Sequence, residues 1–297
     1  MKKLSSAANF VKRNLTWMTL GAFGLSACGR LETIPYDPPY TPAQWLTIQP
    51  NFQLAAGATP QYFMQPSTST IVYLLGVITI AIGIYFLRIR QAQQSRMWWG
   101  IGLLLWGLGA ILAGTSYEAF SYAIKCAGRE VCLWTSWWEV LYLLVTVWSI
   151  DAITMAVAYT STTGRVRQVL MGYAFLNALI YLGVLLAGTF MPVKFWISFE
   201  MLILFAGPNI LIFFCVNGWR AIKTRSSFDK AMVATWVWLG ITIGAYFGYY
   251  LSGLTLLLWE KGIWFSENDV LHIFLIIWML FIYRVVARQV QDMPSAV

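Results

Sequence analysis

The sequence predicts an all-α membrane protein: a bundle of seven transmembrane helices, N-terminus outside and C-terminus inside. Three observations predict it. Hydrophobic residues fill 59% of the 297 positions and charged residues only 11%, where a soluble domain carries about a quarter charged. The remaining charges gather between long apolar runs, each near the roughly 20 residues that a helix needs to cross a hydrocarbon core. Lys and Arg also fall mainly on alternate connections, the asymmetry that places basic loops in the cytoplasm. Lipid offers the backbone no hydrogen-bond partner, and no alternating ten-residue pattern of an outer-membrane barrel is present.

Residues 1–28 form a signal-like segment. Lys2, Lys3, Lys12 and Arg13 precede a short apolar stretch that ends Leu25-Ser26-Ala27-Cys28. A basic region followed by a short apolar one is an export signal, and small residues ending at a Cys resemble a lipobox, which makes Cys28 the expected lipidation site. An uncleaved anchor with an incidental Cys is the plainer alternative. Residues 29–69 then lie outside. They contain Pro35, Pro38, Pro39, Pro42, Pro50, Pro60 and Pro66, which disfavours regular helix and favours extended backbone. This stretch either covers the outer face of the bundle or reaches an envelope protein partner, and both readings stay open.

Residues 70–290 form the membrane domain, with spans over 70–87, 97–124, 137–158, 169–190, 195–219, 231–259 and 270–286. Arg88, Arg90, Arg96, Arg165, Arg167, Arg220, Lys223, Arg225, Lys230, Arg284 and Arg288 fall on one side, against Lys125, Arg129, Lys194 and Lys261 on the other. The net charge of +8 is therefore an insertion signal of a bacterial inner-membrane protein. A nucleic-acid partner would want one contiguous basic patch, so none is expected. No soluble catalytic module is left over, and membrane lipid is the expected partner.

Cys126 and Cys132 share an exported loop, where an oxidising compartment permits a disulfide. Cys215, inside the fifth span, is expected to fill space. Trp98, Trp99, Trp134, Trp137, Trp138, Trp196, Trp259 and Trp264 stand near span ends, as interfacial anchors do. Small residues let helices approach closely in lipid. Gly100, Gly107, Gly114 and Ser121 in the second span, and Gly240, Gly244, Gly248 and Ser252 in the sixth, therefore mark the expected protein-facing sides.

Ionisable groups within a membrane are functional candidates by default. Glu118, Glu139, Glu200 and His272 all fall in the outer third of their spans, with Glu118 one turn beyond Gly114 and Glu200 on the face of Gly207. Asp151 lies deeper and on another face. Ser266 with Asp269 fits a capping box opening the seventh span, and Asn268 shares a face with His272. Three readings stay open for this cluster: a carboxylate-rich site for one divalent metal ion held by Glu118, Glu200 and His272; a metal-free acid/base site; or glutamates that hydrogen-bond between helices.

Residues 108–120 (LGAILAGTSYEAF), 133–144 (LWTSWWEVLYLL) and Asn268-Asp269-Val270-Leu271-His272, with Tyr283-Arg284 closing the span, resemble the seven-helix superfamily of alkaline ceramidases and progestin/adiponectin receptors. The likeness is to its bacterial branch and covers the seven spans. It implies a zinc site built from a His on the second helix and a His pair opening the seventh, hydrolysing a lipid amide. Here His272 matches one of the pair, Asn268 stands at its partner position, and Glu118 is nearest to the second-helix His. With one histidine in the chain, a three-His site is impossible. The expectation is an outward-opening pocket for a lipid or amphiphile. Either it is hydrolase-like, with Glu118 and His272 catalytic and Glu139, Glu200, Asn268 and Asp269 binding, or the chain is a non-catalytic sensor or accessory subunit of an envelope complex.

Overall fold

The computed structural model describes residues 30–55 and 60–294; the signal-like segment and Cys28 lie outside them. Among the described residues, seven helices are long and apolar enough to cross a membrane. The chain is a multi-pass membrane protein built as an all-α bundle.

An arm precedes the bundle. It holds α1 (Pro42–Thr47) and a hairpin of β1 (Asn51–Ala55) and β2 (Gln61–Met64). Regular helix was not expected among so many prolines. Pro42 escapes the rule because it sits in the first turn, where its missing N–H costs nothing. Thr41 and Gln44 complete a capping box around it, with Gln44 Oε1 accepting from Thr41 N at 2.8 Å.

The spans are α2 (Pro66–Arg88), α3 (Gln94–Ala113), α5 (Trp137–Ser161), α6 (Gly164–Phe190), α7 (Phe199–Thr224), α8 (Ser227–Ser252) and α10 (Glu267–Phe281). Two are interrupted where the apolar pattern ran on. After Ala113 the second span widens into a π-turn, Gly114–Ala119, breaks at Phe120 and resumes as the short α4 (Ser121–Lys125). The sixth ends at Gly253, whose φ of 68° suits glycine, and a short α9 (Leu254–Glu260) follows. Hydropathy is blind to both breaks, because apolar residues continue through them.

Glycines bring α3 close to two neighbours at once. A Cβ on Gly107 would stand 2.8 Å from Gly76 O of α2, and one on Gly102 would stand 3.0 Å from Ser149 O of α5. The second-span stripe is thus a packing face, and α5 beyond it is the most enclosed span. The sixth-span stripe is not: Gly240, Gly244 and Gly248 have nothing within 4 Å of where a Cβ would be. The half of α8 next to its start is pinned instead by Trp236, which stacks on Phe213 at 4.4 Å and Trp99 at 6.2 Å. The other half is mostly exposed. Trp99 therefore belongs to the core rather than to an interfacial belt, and Cys215 is exposed rather than filling space.

The arm lies on one end of the bundle. Pro35 and Leu133 form a β-bridge, Tyr36 N donates to Cys132 O at 2.9 Å, and Cys132 N donates to Tyr40 O at 2.8 Å. Cys126 and Cys132 are disulfide-bonded beneath it. At the opposite, basic end the irregular segment after residue 286 crosses the helix ends. Asp292 accepts from Gln94 N and Ser95 N at 2.7 and 2.8 Å, while Arg96 and Arg167 hold Val290 O and Met293 O.

Candidate functional site

The arm end contains a cleft of about 260 Å³. Its depth is set by the interrupted second span. The π-turn presents Tyr117, and α4 turns the chain so that its last residue, Lys125, points inward to Glu139 in the first turn of α5. The two side chains form an ion pair, 3% and 2% exposed. Lys125 Nζ also lies 4.8 Å from the Tyr117 ring centroid and 5.9 Å from that of Trp45, so its charge is held by a carboxylate and two aromatic faces. Tyr36, Trp45 and Gln49 of the arm, with Trp134, wall the cleft, and Glu200 stands at its rim. Burial, then Tyr40 and Glu139, push the Tyr36 phenol above its ordinary value. Burial and the Glu139 charge would be relieved if the arm lifted, whereas Tyr40 moves with it.

The four outer ionisable groups therefore do not converge on one point. Glu139 is committed to Lys125. Glu200, expected to face the bundle interior with Gly207, is exposed. It follows directly on the turn in which Ser198 caps α7, accepting from Met201 N at 3.3 Å, and that start faces the cleft mouth.

Glu118 and Asp269 come near each other outside the cleft lining, and His272 follows Asp269 on α10. Asp269 caps α10 as expected, its Oδ2 accepting from Ser266 N at 2.6 Å and from Thr68 Oγ1 of α2 at 3.0 Å. Its charge is felt by Glu118, and His272 lies one helical turn further along. Asn268 is half-buried at the head of the same face. Glu118 Oε2, Asp269 Oδ1 and His272 Nδ1 are all buried without a hydrogen-bond partner.

A divalent ion at Glu118, Glu200 and His272 does not fit. Among the described residues no group of three His, Cys, Asp or Glu side chains could hold a metal ion. Glu200 is on the cleft rim, and Asp269 spends one oxygen on the helix cap.

Three features escaped the sequence reading. Lys125 was counted among loop charges, and nothing local marks it as buried. The aromatic wall comes from an arm whose path the sequence left open. Asp151, deeper than the outer groups and on another face of its span, is held by Asn177 of α6 and Asn209 of α7. Those two asparagines in apolar spans were the available signal.

The model of one protein family, described as a family of unknown function (DUF6962), matches residues 68–291. No curated protein matches the chain.

Proposed function

The chain belongs to the DUF6962 family, which assigns it no activity, and on its own geometry we propose that it binds a lipid or amphiphile without hydrolysing it, with the ligand's head in the arm-end cleft. The observation that carries this reading is the Lys125–Glu139 pair at the base of an aromatic-walled concavity. Concave, largely apolar sites with a few placed polar groups are where small ligands bind. Lys125 and Glu139 neutralise each other, while Glu200 has no ion-pair partner among the described residues. The cleft is therefore complementary to a head bearing an ammonium group.

The alternating basic connections support placing this end on the periplasmic side of a bacterial inner membrane. There the ligand is drawn from the outer leaflet, and the signal-like segment with Cys28 adds a lipid anchor on the same side. A sensor or accessory subunit of an envelope complex would use such a site, and the arm of residues 29–69 would then report occupancy to a partner protein.

The test is native mass spectrometry of the purified protein offered phosphatidylethanolamine and phosphatidylglycerol in equal amounts. The reading expects retention of the amine-bearing lipid, reduced several-fold in Glu200→Gln, since one exposed charge is worth up to about 1 kcal/mol. Equal retention of the two lipids, unchanged in the variant, would refute it.

One observation favours a second reading. The three unpartnered atoms of Glu118, Asp269 and His272 are what a hydrolase-like centre, as the ceramidase resemblance implies, would leave for substrate and water. Glu118→Gln and His272→Ala test it directly: lost lipid-amide turnover in both supports it, and absence of turnover in the unmodified protein rejects it.

A further inference from the structure

A polar cluster outside both sites lies deep within the bundle. Asp151 is near the middle of α5, Asn177 near the middle of α6 and Asn209 near the middle of α7, so three spans bring their polar residues to one level. Asp151 is 4% exposed. Its Oδ1 accepts from Asn177 Nδ2 at 2.9 Å and from Asn209 Nδ2 at 3.2 Å. The same two amide nitrogens donate to Phe205 O, at 3.3 and 3.1 Å. A carboxamide nitrogen has two hydrogens, so all four are used. The Asn209 carbonyl in turn accepts from the Thr154 hydroxyl at 2.5 Å, which fixes the orientation of that amide. Every donor in the cluster is spent, and Asp151 Oδ2 is left buried with none.

We propose that Asp151 is a proton-binding site inside the bundle, taking up and releasing one proton on Oδ2. A carboxylate with one oxygen bare in an apolar interior is costly unless a positive charge completes it. Among the described residues no Lys, Arg or His side chain does so. A metal cation would need several oxygen ligands. The groups turned toward this carboxylate are N–H donors, which repel a cation, whereas a proton needs only the one free lone pair.

The site is electrically isolated. On α3, residues 97–113 contain no titratable group, and on α7, residues 201–216 contain only the exposed Cys215. On α6 the titratable neighbours are Tyr181, one turn beyond Asn177, and Tyr173, one turn before it. Tyr173 lies within electrostatic reach of Asp151, and its hydroxyl is also buried without a partner. Because α6 starts at the basic end, Tyr173 lies on the basic-end side of the cluster.

The test is infrared difference spectroscopy of the full-length protein in lipid nanodiscs, stepped between about pH 5 and about pH 9, a range that spans perturbed carboxyl titrations. A protonated-carboxyl band should vanish reversibly as the pH rises, be absent from Asp151→Asn and persist in Glu118→Gln. Asn177→Leu removes one donor from Oδ1 and should move the midpoint, which keeps the proposal testable even if Asp151→Asn does not fold. A band that never titrates, one that survives in Asp151→Asn, or a midpoint unmoved by Asn177→Leu would overturn the proposal. So would a midpoint that follows sodium concentration at fixed pH, because it would assign Oδ2 to a metal cation.

Discussion

Lys125, the last residue of α4, is ion-paired with Glu139 in the first turn of α5, and both side chains are almost fully removed from solvent. The pair ties the disulfide loop to the most enclosed span and forms the base of the cleft. Breaking a buried pair strands a charge, whereas replacing both partners with apolar residues of similar size removes the desolvation cost as well. Lys125→Met alone should therefore destabilise the protein by about 3–5 kcal/mol. Lys125→Met with Glu139→Leu should recover most of that loss. Denaturation in detergent, run as a double-mutant cycle, checks both.

The Cys126–Cys132 bond closes a small loop whose Cys132 backbone makes two hydrogen bonds with the arm. Replacing both cysteines with serine should cost about 2–3 kcal/mol, concentrated at the arm end. Limited proteolysis should then cut residues 30–50 faster, while the seven spans stay resistant.

Alkaline pH should release the arm. The folded-state value of Tyr36 is raised above 10.0, chiefly by burial. Its contribution is therefore fully present below the ordinary tyrosine value and lost as the pH climbs through the raised one. Hydrogen exchange of residues 36–45 should quicken in that alkaline window, and Tyr36→Phe should abolish the Tyr36-dependent part of the change.

The two glycine stripes should respond oppositely. Gly107→Ala forces a Cβ against backbone, 2.8 Å from Gly76 O, and should cost about 1–3 kcal/mol. Gly244→Ala meets nothing within 4 Å and should gain about 0.5–1 kcal/mol from helix propensity. Thermal melting of the two variants separates a packed stripe from an open one.

At the basic end, Asp292 supplies the cap that the start of α3 lacks from its own side chains. Asp292→Ala should cost about 1 kcal/mol, and hydrogen exchange should show the loss at residues 94–97.

Much of this architecture was legible because hydropathy and loop charge act over whole segments. Seven spans, the Ser266–Asp269 cap and the Cys126–Cys132 bond follow from composition and spacing. What was lost depended on geometry within a helix. Counting turns from Gly114 put Glu118 inside the bundle, where it is buried, but the π-turn at Gly114–Ala119 breaks the regular register, so counting could not foresee Tyr117 lining the cleft. Glycine spacing marked a face of α3 correctly and a face of α8 wrongly, because small residues permit close approach without requiring it. Depth along a span gave Glu118, Glu139, Glu200 and His272 a common level, but not a common direction.

The central claim is that the arm-end cleft holds the head of an amine-bearing amphiphile. Photolabelling with a diazirine derivative of lysophosphatidylethanolamine in native membranes tests it most directly. Labelled peptides should contain Tyr36, Trp45, Tyr117 or Trp134, and labelling should fall when Glu200 is changed to Gln. Labelling confined to the lipid-facing side of α8, or to the peptides carrying Glu118 and His272, would contradict it.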